Sequence, residues 1–385
     1  MNTRFTFTPA VVRDLMEIEA ARQTVRLTVL LPQVAERLRQ QARVRSTHYS
    51  TRIEGNRLTL VEAEQAVLEG RDFPGRERDV REVQNYYRAL QRVEEWTEQQ
   101  TPITETLIRR LHALIFSGPR AQPTFYRDGQ NVIRDSATGA IVYLPPEAVD
   151  VPDLMRDMVA WIAQAEREEL PVPVIAGLAH YQFVTIHPFY DGNGRTARAL
   201  ATLILYRHGY DLGRFYSLEE VYAQDLPAYY AALQTHPHHN YYEGRADADL
   251  TIWLAYFTHS MAVTFRRVAD EVRDRAISPT APEPPELRRL DRRTRLVMEL
   301  FTRREAVTTA EIARALGLSP RTVRDLIAGW LADGWLEVAD PARKTRCYRL
   351  SAEYRQFIGE ITAGEEDLQK DTQGGRGIGG GAIER

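Results

Sequence analysis

At 385 residues, with 43% hydrophobic and 27% charged side chains, the chain has the make-up of a globular protein of two or three domains. Its net charge of −3 argues against a polyanion binder along its whole length, and no uninterrupted apolar run reaches the roughly 18 residues of a membrane span. A lone Cys347 excludes an internal disulfide; with no signal-peptide core at the N-terminus, a reducing cytoplasm is the expected setting.

Residues 1–100 read as helices, with apolar positions through Val25–Leu38 and a helix start at Thr59-Leu-Val-Glu62. Within them, Ser50 and Glu54 stand four apart, so both lie on one face if Arg43–Glu54 is helical, and Gly55-Asn56 supplies the stop. Residues 101–276 form the expected core, opening with a helix over Glu105–Phe116. Two short apolar runs follow, around Val132-Ile133 and Ile141-Val142-Tyr143-Leu144, separated by Ser136-Ala137-Thr138-Gly139. They read as a β-hairpin, the main strand signal in this part of the chain.

The segment His187-Pro-Phe-Tyr-Asp191-Gly192-Asn193-Gly194-Arg195-Thr-Ala-Arg198 concentrates the chemistry. Gly192 and Gly194 leave the backbone open, so successive N–H groups can turn toward one anion. Apolar Ala199, Leu200, Leu203 and Ile204 give Arg195–Tyr206 helical spacing, which puts the glycines where a helix begins and its positive end faces that anion. Arg195 and Arg198 are three apart on one helix face and can grip separate phosphate oxygens. Asp191 is a hard ligand suited to Mg²⁺ on phosphates, His187 a candidate general base, and Phe189 a core anchor. A simple glycine turn capped by His and Asp explains neither the arginines nor Asn193.

Eight positions of this segment fit HxFxDGNGRxxR, a chance match of about 10⁻¹¹ per start at ordinary residue usage. The motif resembles the signature of the Fic family, whose members usually transfer AMP from ATP to a protein hydroxyl. The resemblance implies a mainly α fold: an all-helical Fic core with a small β-hairpin flap. It assigns His187 as base, Asp191 to Mg²⁺, and Gly192, Asn193, Gly194, Arg195 and Arg198 to the nucleotide. The intact cradle favours adenylyl transfer over the kinase chemistry of a branch with an altered loop. Ser50 and Glu54 resemble the family's N-terminal inhibitory helix, whose Glu forks onto the second arginine in place of the γ-phosphate. The hairpin, with Val132, Ile133 and Tyr143, corresponds to the flap that registers a target Ser, Thr or Tyr. Segments Leu226–Leu233 and Asn240–Arg245 look like those closing the adenine pocket, with Asn240 and Tyr241 as the chosen residues.

Beyond a Pro-rich linker at 277–285, residues 286–358 resemble a winged helix-turn-helix domain. Thr308-Thr-Ala-Glu311 opens a helix that stops at Gly317, and Ser319-Pro320 caps a second one with Val323, Leu326, Ile327, Trp330 and Leu331 on one face. Trp335–Ala339 and Arg346–Leu350 alternate as two strands, with Arg343 and Lys344 at the tip between them. Residues 286–355 carry 15 basic and 10 acidic side chains, a net of +5 against −8 for the rest. DNA is therefore the expected partner, through Arg321, Thr322 and Arg324, with protein contact or dimerisation as the alternative. The Gly-rich tail, 364–385, has too few apolar residues for a core.

The expected activity is autoinhibited protein adenylylation with ATP and Mg²⁺. Two other readings stay open: an ATP-sensing, DNA-binding regulator, and a hydrolase in which Glu54 positions water to remove AMP. His187 favours an enzyme, since a sensor has no need of a base. Monomer and homodimer are equally compatible with the sequence.

Overall fold

The computed structural model describes residues 1, 3–134, 139–276, 294, 297–302, 304–316, 318–339 and 346–355. The chain divides into two compact units, Met1–Ile277 and Ser278–Arg385.

The first unit is built on a pair of consecutive helices, α7 (Val172–Ile186) and α8 (Asn193–Arg207), buried on almost every side. A helix apolar all round can only sit at the centre of a bundle. Around the pair lie α4 (Glu77–Glu98), α5 (Glu105–Phe116), α6 (Val151–Arg167) and α11 (Thr251–Asp274). Each shows the striped burial of an outer helix: Val80, Val83, Tyr86, Tyr87, Leu90 and Val93 of α4 face inward, for example. Trp253 of α11 is fully buried, and its indole N–H donates to the Gly177 carbonyl of α7 at 2.7 Å.

Helix α1 (Pro9–Leu27) starts at Thr8, whose hydroxyl accepts from Val11 N, and packs along α11. Helix α2 (Pro32–Ile53) lies against α4 and α9 (Leu218–Gln224), and the short α10 (Leu226–Leu233) follows α9. The apolar run Val25–Leu38, expected to continue as helix, is instead divided at Thr28–Leu31. Pro32 removes a backbone donor and holds Leu31 extended (ψ 136°), so the second helix starts afresh there. Helix α3 (Leu60–Glu64) opens on the expected box, with Thr59 and Glu62 satisfying each other's backbone N–H. The hairpin is short: β1 (Ile133–Arg134) pairs antiparallel with β2 (Ile141–Tyr143), Ile133 opposite Tyr143.

The second unit has its own core of Val297, Phe301, Ile312, Val323, Ile327, Trp330, Trp335 and Tyr348. Helices α12 (Thr309–Leu316) and α13 (Pro320–Ala332) pack on each other and are capped by Thr308 with Glu311 and by Ser319. Strands β3 (Val307–Thr308), β4 (Leu336–Val338) and β5 (Cys347–Leu350) form an antiparallel sheet in the order β3-β5-β4. The sequence reading lacked β3, whose two residues are too few to alternate. The Pro-rich stretch 278–285, Gly317, Arg343, Lys344, Ser136-Ala137-Thr138 and the tail from 364 lie outside the described residues. Among the described residues no helix is long and apolar enough to cross a membrane.

The packing at the α7–α11 contact predicts a contrast between neighbours. Trp253→Ala should cost about 3–5 kcal/mol, whereas Ile252→Ala, on the exposed face, should stay within about 0.5 kcal/mol. Urea midpoints at constant m-value test this, and similar losses at both positions would contradict the packing.

Candidate functional site

Six residues, His187–Gly192, connect α7 to α8. The connection leaves and rejoins helix through left-handed backbone, at His187 (φ 52°, ψ 58°) and Gly192 (φ 77°). For glycine this is free; for His187 it costs about 1–2 kcal/mol, so the surroundings must hold it. They do so by consuming the loop's backbone groups. Asn193, buried in the first turn of α8, accepts from Phe189 N (3.0 Å) and donates to Phe189 O (2.7 Å). His112 of α5 bonds the Asp191 carbonyl (2.8 Å) and Thr124 Oγ1 (2.8 Å), and its ring stacks on Phe189 at 3.8 Å. Because a carbonyl only accepts, the His112 proton is on Nε2. The buried Arg127 donates to the His187 carbonyl (2.9 Å) and to carbonyls flanking the hairpin.

His187 is similarly fixed in one tautomer. Its Nδ1 lies 3.2 Å from the Val184 carbonyl, so Nδ1 carries the proton and Nε2 keeps its lone pair. Desolvation outweighs that bond and pushes the imidazole down to about 4, so it is neutral at ordinary pH. Asp191 Oδ1 accepts from Gly192 N (2.5 Å) and lies 3.6 Å from Arg195; the side chain is about 50% exposed.

Arg195 and Arg198 are both buried, but they face different partners. Arg195 lies 3.9 Å from Glu82 of α4, and its Nε has no acceptor among the described residues. Arg198 donates through Nε to Ser50 Oγ (2.9 Å), and through Nη2 to the Ser50 carbonyl and Glu54 Oε1 (both 2.8 Å). Burial opposes its charge, but Glu54 more than offsets this and raises its pKa above the ordinary value. The Glu54 carboxylate also sits on Gly194, where an added Cβ would come 2.2 Å from Oε1. A side-chain anion thus occupies the opening of α8. Ser50 and Glu54 reach it because α2 runs helical to Ile53, and Asn56 then pins its end to the Asp79 carbonyl of α4 (3.0 Å).

The structure brings His187, Asp191, Gly192, Gly194, Arg195, Arg198, Ser50 and Glu54 into one place. Two of these side chains are engaged by the protein itself. The Asn193 amide bonds both backbone groups of Phe189 and so closes the loop, which leaves its own backbone N–H at the start of α8 to face an anion. Tyr143 is 6% exposed, with its hydroxyl donating to the Thr185 carbonyl (2.9 Å) and its ring under Arg245, so its side chain anchors the hairpin. Val132 and Ile133 are half-buried at the start of β1. Asn240 and Tyr241 flank the hairpin's exit, where Leu144 N donates to His239 O and Tyr241 N to Leu144 O. The sequence reading missed His112, Arg127 and the tyrosine pair Tyr86 and Tyr229, whose hydroxyls engage Ser50 and Arg198. In the second unit Arg321, Thr322 and Arg324 are exposed on α13, with Thr322 also tied to the Ser319 cap.

Residues 102–205 match the model of the Fic/DOC family. The chain carries a Fic domain. Over 202 residues it is 30% identical to the Protein adenylyltransferase Fic of Drosophila virilis, covering 51% of this chain and 40% of that protein. With the Protein adenylyltransferase Fic of Nematostella vectensis the identity is 33% over 168 residues, 42% of this chain and 37% of the other. The chain therefore spans two-fifths or less of the length of these two relatives. A Fic family protein from Desulfovibrio desulfuricans G20 superposes with a TM-score of 0.59 at 26% identity, over 91% of this chain and 99% of that one. The Fic domain spans α5, the hairpin, α6, α7 and nearly all of α8; Ser50 and Glu54 lie outside it.

The buried imidazoles predict how stability follows pH. Desolvation lowers His112 and His187 to about 4 and His180 to about 3, whereas unfolded histidine titrates near 6.5. Between those values the unfolded chain binds protons that the native one refuses. Stability should be complete above about pH 6.5 and fall as pH drops toward 4. Urea midpoints measured from pH 7.5 to 4.5 test this, and a flat profile down to pH 5 would contradict it.

Proposed function

We propose that the chain is a protein adenylyltransferase, moving AMP from ATP to a Ser, Thr or Tyr hydroxyl of a target protein, and that Glu54 restrains it. The observation that carries this reading is the Glu54 carboxylate on Gly194 and Arg198, at the N-terminus of α8. An acidic side chain there marks a place built for an anion, and the helix dipole with two guanidiniums suits the phosphates of a nucleotide. The two relatives named as adenylyltransferases fit the same chemistry.

The target hydroxyl delivers its proton to His187 Nε2, the free nitrogen of the fixed tautomer. Its oxygen bonds to the α-phosphorus while the bond to the bridging oxygen breaks, and pyrophosphate leaves. Imidazolium is disfavoured in these desolvated surroundings, so His187 gives the proton up to solvent water and the base is restored. Gly192 and Gly194 give the backbone access to phosphate, and Arg195, with its unpartnered Nε, adds charge. Asn240 and Tyr241, beside the hairpin's exit, are proposed for the base, and Val132 and Ile133 for the target segment. Asp191, a half-exposed carboxylate beside Arg195 at the loop, fits Mg²⁺, an ion commonly held by one or two carboxylates with phosphate oxygens. Bound there, it would neutralise phosphate charge.

The exposed Arg321 and Arg324 on the second helix of a helix-turn-helix support DNA as a partner of the C-terminal unit. A reducing cytoplasm suits the lone Cys347.

Incubation with ATP labelled at the α- or γ-phosphate tests the reaction. Label on protein from the α-position alone is expected, and label from γ alone would establish a kinase. His187→Ala should lower the rate by about 10²–10⁴ while ATP binding by calorimetry persists. Wild-type transfer in that variant would remove the base assignment.

Glu54→Gly should raise self- or target-labelling, and adding Arg198→Ala should cancel much of the gain. Labelling no higher than wild type would remove the restraint. Slower loss of AMP from a pre-modified target would favour Glu54 as the residue that positions a hydrolytic water.

A further inference from the structure

Arg127 is 3% exposed, and among the described residues no carboxylate pairs with its guanidinium within 4 Å, Glu147 acting on it only from farther away. A buried cation normally has an acidic partner, because the loss of water is otherwise uncompensated. Here the compensation comes from carbonyl and amide oxygens on three separate stretches of chain. Nε donates to His187 O at 2.9 Å, Nη1 to Gly129 O (3.0 Å) and Gln130 Oε1 (3.2 Å), and Nη2 to Pro146 O. The Arg127 amide also donates to Pro188 O at 2.9 Å. Gln130, held by the guanidinium, in turn donates to Pro145 O at 3.0 Å.

The fork thus joins three parts that the chain keeps far apart: the residues entering the hairpin, those leaving it, and the start of the catalytic loop. Two further links lie on the entering side. Asn131 Nδ2 donates to Tyr190 O (3.3 Å), and Tyr190 Oη donates to Asp128 (2.7 Å). Of these hairpin links, the Arg127 fork is the one that reaches His187 itself. The His187 carbonyl is turned by left-handed backbone, and the imidazole direction depends on that turn together with the bond to Val184. A planar fork with five donors can satisfy such a set of oxygens in fixed directions, which a lysine ammonium cannot.

We infer that Arg127 is a positioning residue that holds the left-handed turn at His187 and fixes the hairpin base to it, so that base and docking edge keep one spacing. The inference deepens the adenylyltransferase reading and rests on it for its effect on rate. Arg127 touches neither phosphate nor hydroxyl. Its loss should leave ATP affinity unchanged, let the imidazole relax toward water, and lower the rate of transfer.

The test uses the full chain with Arg127→Met, which keeps apolar bulk without donors, and Arg127→Lys, which keeps charge without the fork. Three quantities are read: kcat with a hydroxyl acceptor and α-labelled ATP, ATP affinity by calorimetry, and the His187 titration midpoint by NMR in the nucleotide-free protein. Wild type should titrate at about 4. In Arg127→Met the midpoint should rise, through loss of a nearby cation as well as movement of the ring, and kcat should fall about 10²-fold with ATP affinity retained. In Arg127→Lys, where the charge stays, a rise reports movement alone. Arg127→Lys should show both effects to a smaller degree. If the Met variant does not fold, the Lys variant decides by the same readings. An unmoved midpoint in a folded variant, or unchanged kcat, overturns the inference. Wild type that transfers no α-label instead defeats the adenylyltransferase reading, and the NMR midpoints still report whether Arg127 positions His187.

Discussion

The first unit depends on one constraint: two helices buried all round, α7 and α8, are joined by only six residues. Those residues cannot reach bulk water for all their hydrogen bonds, yet an unpaired buried backbone group costs about as much as a lost bond. The surrounding helices therefore supply the partners. His112 takes the Asp191 carbonyl, Asn193 takes both backbone groups of Phe189, and Arg127 takes the His187 carbonyl. The result is a loop whose backbone groups are tied to the helices around it, with a neutral imidazole at one end and a helix N-terminus at the other. A catalytic constellation needs this kind of support from groups that do not themselves react.

Arg198 shows the same economy on the other side of α8. It is buried, and it belongs simultaneously to the helix that carries the loop and to a polar cluster from elsewhere: Ser50 and Glu54 from α2, Tyr86 from α4, Tyr229 from α10. Tyr229 also bonds His180 of α7 at 3.0 Å. The guanidinium is thus held in place from several directions, and Glu54, about 30% exposed, is the member of the group that can leave without opening the core.

How much of this could be read beforehand depended on distance along the chain. The loop from His187 to Arg198 was legible because its chemistry and its geometry are both local: glycines at a helix start, arginines three apart. The Glu54 contact was legible only through the resemblance to an inhibitory helix, since its spacing from Ser50 is a weak signal by itself and its partner lies 144 residues away. Arg127 and His112 were not legible, since an arginine or histidine in a helix or loop looks like surface until its carbonyl partners are known. The turn of the Asn193 amide onto Phe189 was not legible, because its position in the motif is the same whichever way the amide faces. The burial of the Tyr143 side chain was not legible either, because strand alternation gives two faces without saying which is outward. The division of Val25–Leu38 could have been anticipated from Pro32.

Gly194 has a consequence for the restraint proposed here. Its missing side chain leaves a space that the Glu54 carboxylate fills, and phosphate would need the same opening. The two anions then exclude each other by volume as well as by charge. In the proposed restraint, Glu54 would act as a ligand tethered to the end of a 22-residue helix. Its effective concentration is set by how firmly the last turn of α2 is wound, through the Thr51 hydroxyl on the Thr47 carbonyl (2.9 Å) and the Asn56 anchor beyond it. Whatever frays that turn dilutes the ligand without touching the site, so an occupancy at one helix opening is governed by the order of another helix's end.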